Sequence, residues 1–122
     1  MNETDPHYDP LRMRYAASLA RKHADLVQAW RAFADTPDAA ARLDLHAQIH
    51  RLSGSASSYG YVRLGAVANA ADELMSQPEP QGQGSPQMST AAIERLAASI
   101  QTLLGALADA EVLAKTEPPA IP

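Results

Sequence analysis

The chain carries no cysteine, so nucleophilic chemistry near neutral pH falls first to its four histidines. One of them has unusual surroundings. His50 opens the run His50-Arg51-Leu52-Ser53-Gly54-Ser55-Ala56, with Gly60 and Leu64 further on. The run lies inside an alanine- and leucine-rich helical pattern, where glycine costs about 1 kcal/mol relative to alanine. A glycine one turn beyond an imidazole clears space beside the ring for a second molecule. Neutral imidazole is nucleophilic and forms covalent intermediates. His46, one turn before His50, could share a metal with it, but a closed zinc site takes four ligands. No nearby acid or third ligand is evident on that helix, and no metal site is expected. Ser55 and Ser57 belong to no visible Ser-His-Asp arrangement, and helix serines commonly bond their own backbone.

The helix that carries His50 has a well-defined inward side. At about 100° per residue, Leu45, Ile49, Leu52, Ala56 and Tyr59 fall in one narrow arc. His50 lies roughly 140° from the centre of that arc and is expected to face solvent. An outward stripe runs through Leu43, Ala47, His50 and Gly54. Surface stripes are normally charged; this one is small or apolar around a single titratable ring, which suits a docking face.

Four helices must position that ring. Asp9-Pro10 reads as N-cap plus first helical residue. Leu11, Tyr15, Leu19, Leu26, Trp30 and Phe33 then recur on one helical face up to about Asp35. Thr36-Pro37-Asp38 repeats the start signal, with Thr36 as the cap, and predicts a second helix to about Tyr59. Gly60 is placed to end it in a left-handed cap. A very short turn leads to a third helix over 62–76, so the second and third form an antiparallel hairpin. Its apolar set is Leu64, Val67, Ala68, Ala71, Leu74 and Met75. Residues 77–88, rich in Pro, Gly and Gln, read as a flexible linker. Ser89 or Thr90 caps a fourth helix to about Lys115, with Ile93, Leu96, Ala97, Ile100, Leu103, Leu104 and Leu107 as its apolar face. The expected fold is an all-α antiparallel four-helix bundle, with helices at about 10–35, 37–59, 62–76 and 89–115. Residues 1–9 and 116–122 form loose tails.

Composition narrows the function. The formal net charge is -4 and the ten basic residues are scattered, unlike the concentrated basic face of a nucleic-acid binder. The N-terminus lacks the basic and apolar regions of a signal peptide, and no apolar run looks long enough to cross a bilayer. A cytoplasmic, monomeric protein is expected, and Met1 with two loose ends fits a free-standing one. Arg12, Arg14, Arg21 and Lys22 read as a solvated helix face. His23 reads as a boundary histidine with a local hydrogen bond. Trp30 and Phe33 read as core, and Tyr59 and Tyr61 as packing around the Gly60 turn.

The stretch from His50 to Glu73 resembles the histidine-containing phosphotransfer (HPt) domain. The resemblance rests on His50, Leu52, Gly54, Ser55, Gly60 and Leu64, with Ala56 at a position that is usually small. Ala71-Asp72-Glu73 is loosely similar to a segment of the family's third helix. The order of helices agrees as well. The resemblance implies that His50 accepts a phosphoryl group from, and donates one to, the aspartate of a response-regulator receiver domain. It implies a phosphocarrier without catalysis of its own or a cofactor of its own, the Mg²⁺ belonging to the receiver. The implied partners are a receiver domain, a hybrid histidine kinase, or both, with no nucleic acid and no membrane. The phosphate and partner surface would comprise Leu43, His46, Ala47, Arg51, Ser53, Gly54 and Ser57. One departure stands out: Ser53 occupies the place of the family's usual lysine, so a hydroxyl replaces a cation. Arg51, about 100° away, and Arg63 are candidate substitutes. The alternative is a helical adaptor that binds a signalling partner through the same face without being phosphorylated.

Overall fold

The computed structural model describes residues 10–77 and 89–116. Within them the chain forms four α-helices: α1 (Pro10–Asp35), α2 (Ala39–Ser55), α3 (Val62–Ser76) and α4 (Thr90–Thr116). Helix α1 packs on α2 and α4, and α3 packs on α2 and α4, which is the cyclic arrangement of an antiparallel bundle. The cap expected at Asp9, the expected linker beyond Gln77 and the expected tails lie outside the described residues, except Thr116, which ends α4 rather than starting a tail.

Each helix contributes the face its periodicity predicts. Leu19, Leu26 and Phe33 of α1, Leu45, Ile49 and Leu52 of α2, Leu64, Ala68, Ala71 and Met75 of α3, and Leu96, Ile100, Leu103 and Leu107 of α4 form one core. Burial of the Leu, Ile, Phe and Met side chains among them contributes about 1.5–3 kcal/mol each. Leu11, expected on the inward face, is exposed instead. It sits one residue after the first residue of α1, at the end of the bundle. Trp30 and Tyr59 are only partly buried against the core.

Both ends of α2 differ from expectation. The cap is Asp38 rather than Thr36: its carboxylate accepts from the Ala41 amide at 2.8 Å. Thr36 still bonds back to α1, its amide donating to the Ala32 carbonyl, so the carboxylate two residues later is the group in position to cap. At the other end the α-helix stops at Ser55. A 3-10 turn follows over Ser57–Tyr59, closed by Gly60 at φ 97°. The amides of Tyr59 and Tyr61 both donate to the Ala56 carbonyl, and such tightening is common where a helix ends. Gly60 thus fills its expected left-handed role for the 3-10 turn. Gly65 of α3 is buried against this turn. A Cβ there would meet the Ser57 hydroxyl and lie 3.1 Å from the Ser57 amide nitrogen.

Helix α4 opens with Ser89, whose hydroxyl accepts from the Ala92 amide at 3.1 Å. Contrary to the sequence expectation, its Thr90–Lys115 stretch holds 18 consecutive residues with a mean hydropathy of 1.4, enough by length and composition alone to cross a bilayer, a property that buried core helices share. In the bundle, Leu96, Ile100, Leu103 and Leu107 are wholly buried against the other helices. Helix α4 is also tied to α1 by His23 and Glu111, whose side chains pair directly. His23 therefore bonds across the bundle, not locally as its position at the edge of the α1 face implies.

Candidate functional site

His50 projects from α2 with 72% of its side chain exposed. The rotation of α2 explains this: Ile49, the preceding residue, is fully buried, and one step of about 100° carries the next side chain outward. A shallow groove of about 330 Å³ lies beside the ring, lined by Leu43, His46, Ala47, His50, Asp72 and Ser76. Leu43 is among the most exposed large apolar side chains described, at 71%. Gly54, one turn past His50, has nothing within 4 Å of where a Cβ would stand. The cleared space inferred from sequence is open surface.

The groove has a feature the sequence did not disclose. Asp72 reaches over from α3 and faces two imidazoles at once. Its Oδ1 lies 2.9 Å from Nε2 of His46, and its Oδ2 lies 3.2 Å from Nδ1 of His50. Asp72 is the most shielded of the three side chains, at 16% exposed. An ionised carboxylate only accepts, so each facing ring nitrogen carries the proton. As neutral rings the two histidines then hold opposite tautomers, His46 donating from Nε2 and His50 from Nδ1. For His50 this leaves the Nε2 lone pair unshared and directed away from Asp72. Ser76, one turn beyond Asp72, donates its hydroxyl to the Asp72 carbonyl at 2.8 Å. Its oxygen lies 3.2 Å from His46 Nε2 as a second acceptor. The available signal was the i, i+4 pair Asp72 and Ser76, two polar residues one turn apart on α3.

The remaining candidates are dispersed. Ser53 donates its hydroxyl to the His50 carbonyl at 2.9 Å, so its one proton is directed to the helix backbone. Arg51 turns to the other side of α2, lining a separate cleft with Ser18, Arg21, Lys22, Asp25, Gln48 and Leu52. Burial, helped by the Arg51 charge, lowers the Lys22 pKa. Ser57 lies in the 3-10 turn against Gly65 and does not line the groove. Arg63 reaches Asp109 of α4 at 3.5 Å. None of the arginine or lysine side chains in the described residues lines the groove. No group of three metal-ligating side chains in the described residues could hold an ion.

Of the α1 basic residues, Arg14 and Arg21 are exposed as a solvated face would be, while Arg12 and Lys22 are half-buried. Arg12 reaches the Tyr59 carbonyl at 3.5 Å. Lys22 donates to Ser18 at 2.7 Å and lies over the Tyr15 ring. Tyr15 in turn stacks on Tyr59, with centroids 4.5 Å apart, and its hydroxyl meets the Ser55 hydroxyl at 2.9 Å. Ser55 directs its own proton to the Arg51 carbonyl, so Tyr15 is the donor. This network anchors the C-terminal turn of α2, and with it the turn that carries Gly54.

An outward histidine on the second helix of a four-helix bundle, with a bare glycine beside it, is one half of the assignment. The other half comes from comparison: the family model described as "Hpt domain" matches residues 11–111. The chain belongs to the Hpt family. Searches of curated proteins and of solved structures each returned no match. Hpt domains are helical bundles that carry phosphoryl groups on histidine in two-component phosphorelays, exchanging them with receiver domains and histidine kinases. They are phosphocarrier modules.

Proposed function

We propose that this chain is a phosphorelay intermediate in which His50 is the phosphoacceptor. The observation that carries the proposal is the state of its ring: exposed, with Nδ1 facing Asp72, and with the unobstructed Gly54 surface one turn along the helix. In the forward step the Nε2 lone pair attacks the phosphorus of an aspartyl phosphate on a receiver domain. The N–P bond forms as the P–O bond to the aspartate breaks, and the aspartate leaves as a carboxylate. Nδ1 keeps its proton throughout, so the ring becomes a phosphorylated imidazolium facing Asp72. Attack by a receiver carboxylate on the same phosphorus reverses the step and returns the neutral ring.

The chain's contribution is placement of the nucleophile. The receiver's Mg²⁺ supplies charge neutralisation on the phosphoryl oxygens. Leu43, His46, Ala47 and Gly54 offer the partner a surface of small and apolar groups around the ring. The protein acts as a cytoplasmic monomer that meets a receiver domain, a hybrid kinase, or both. The test is transfer from phosphorylated receiver domains to wild type and His50→Gln. Acid-labile, base-stable label on the wild type alone is the expected result; equal label on both overturns the proposal.

A second reading, an adaptor that binds through the same face without carrying phosphate, draws on the Ser53 hydroxyl being turned to the backbone. It requires signalling to survive His50→Ala with fold and partner binding intact.

A further inference from the structure

We infer that His46 is a positioning residue for the phosphoacceptor: by donating to Asp72 it holds the carboxylate where that group fixes His50 as its Nδ1–H tautomer. The inference rests on the phosphocarrier assignment of His50 and concerns a side chain on the far side of Asp72 from the reacting nitrogen.

Three observations converge. The His46–Asp72 bond, at 2.9 Å, is the shorter of the carboxylate's two contacts, and His50 sits at 3.2 and 3.4 Å from the two oxygens. Asp72 is therefore anchored mainly by His46, and the looser contact is the one to the ring that must react. Second, no other side-chain contact to the Asp72 carboxylate is seen within the described residues; the Ser76 hydroxyl bonds the Asp72 backbone carbonyl instead. Third, the two rings stand nearly edge to face, at 83°, with centroids 6.4 Å apart. That geometry lets one carboxylate bridge them while they do not compete for the same oxygen.

The consequence is chemical. An aspartate at the edge of a helix has several rotamers, and only some bring an oxygen to His50 Nδ1. Without an acceptor there, an exposed imidazole is free to place its proton on Nε2, the nitrogen that must attack, and that form is not nucleophilic at Nε2. His46 restricts the rotamers of Asp72 and so raises the fraction of His50 rings ready to react. It touches neither the phosphoryl group nor the reacting nitrogen.

The experiment uses the full 122-residue chain, with phosphoramidate as a small-molecule phosphoryl donor and ¹⁵N NMR of the His50 ring nitrogens as a second readout. Wild type is compared with His46→Ala, with His46→Gln, whose amide N–H reaches a similar position, and with His50→Gln. His46→Ala should shift the His50 signals from the Nδ1–H pattern toward the Nε2–H pattern. It should also slow labelling by about 2- to 10-fold, the rate equivalent of one ordinary hydrogen bond. His46→Gln should restore both. An unchanged tautomer or an unchanged rate in His46→Ala overturns the inference. Should His46→Ala not fold, a His46→Gln protein lacking the Nδ1–H pattern at His50 overturns it as well. Undiminished labelling of His50→Gln instead removes the phosphocarrier assignment itself, which separates the two failures.

Discussion

The Ser53 hydroxyl donates to the carbonyl of His50, the proposed phosphoacceptor, whose phosphoryl group a lysine at that place would help to hold. The side chain is short, its single proton is directed to the backbone, and no cation in the described residues lines the groove. Replacing Ser53 by lysine should therefore lengthen the lifetime of phosphohistidine, since an ammonium adds a charge-assisted contact to the phosphate. The half-life of label on purified phosphoprotein measures this. Lysine is also a slightly better helix former than serine, so the melting temperature should be unchanged or a little higher. An unchanged or shortened half-life would mean that an ammonium at this place does not stabilise the phosphate.

Gly54 tests the docking face. A Cβ there meets open space, so Gly54→Ala should stabilise the bundle by about 0.5–1 kcal/mol through backbone entropy. Gly54→Leu should keep a melting temperature at or above that of wild type while blocking transfer from a receiver domain. Labelling by phosphoramidate, which needs no protein surface, should persist. Loss of both activities together with a lower melting temperature would make the glycine structural.

Gly65 should behave in the opposite way. Its added Cβ would collide with the Ser57 hydroxyl and crowd the Ser57 amide. Gly65→Ala is expected to destabilise by about 1–3 kcal/mol, the usual cost of overpacking. Ser57→Gly in the same chain should recover part of that loss, and thermal melts of the two variants and the double variant measure the coupling.

Alkaline stability follows from two tyrosines. Burial raises the pKa of Tyr15, and burial also raises that of Tyr61, whose hydroxyl is buried without a partner among the described residues. A raised native pKa means that the fold favours the neutral phenol. The associated stability is fully present below the unfolded tyrosine value of about 10 and is lost as pH rises through the higher native values. Tyr61→Phe should reduce the fall in stability between about pH 9 and pH 12. Near pH 7 it should be neutral or stabilising, because an unsatisfied hydroxyl is removed. Urea melts across that range give the comparison.

What could be read from the sequence was whatever depends on one helix at a time. The outward direction of His50 follows from its 100° step past Ile49, and the room at Gly54 follows from the missing side chain. The bundle follows from four apolar faces of the right period. What could not be read depends on how one helix is rotated and shifted against another. The Asp72 bridge needs α3 to meet α2 with one polar stripe turned to the seam. The His23–Glu111 pair joins residues 88 apart in sequence. The end of α2 at Ser55 was hidden because the inward spacing continues through Ala56 to Tyr59 while the backbone tightens underneath it. Gly65 was within reach: the reasoning applied to Gly54 holds for any glycine inside a helix, and here the close neighbour is the chain's own turn.

The apolarity of α4 bears on how the protein is handled. Detached from its neighbours, α4 would expose Leu96, Ile100, Leu103 and Leu107, all wholly buried in the bundle. A fragment ending before it would leave the inner sides of α1 and α3 without cover. Tags and fusions are best joined outside residues 10–116, and shortened versions offered as minimal carriers invite clumping.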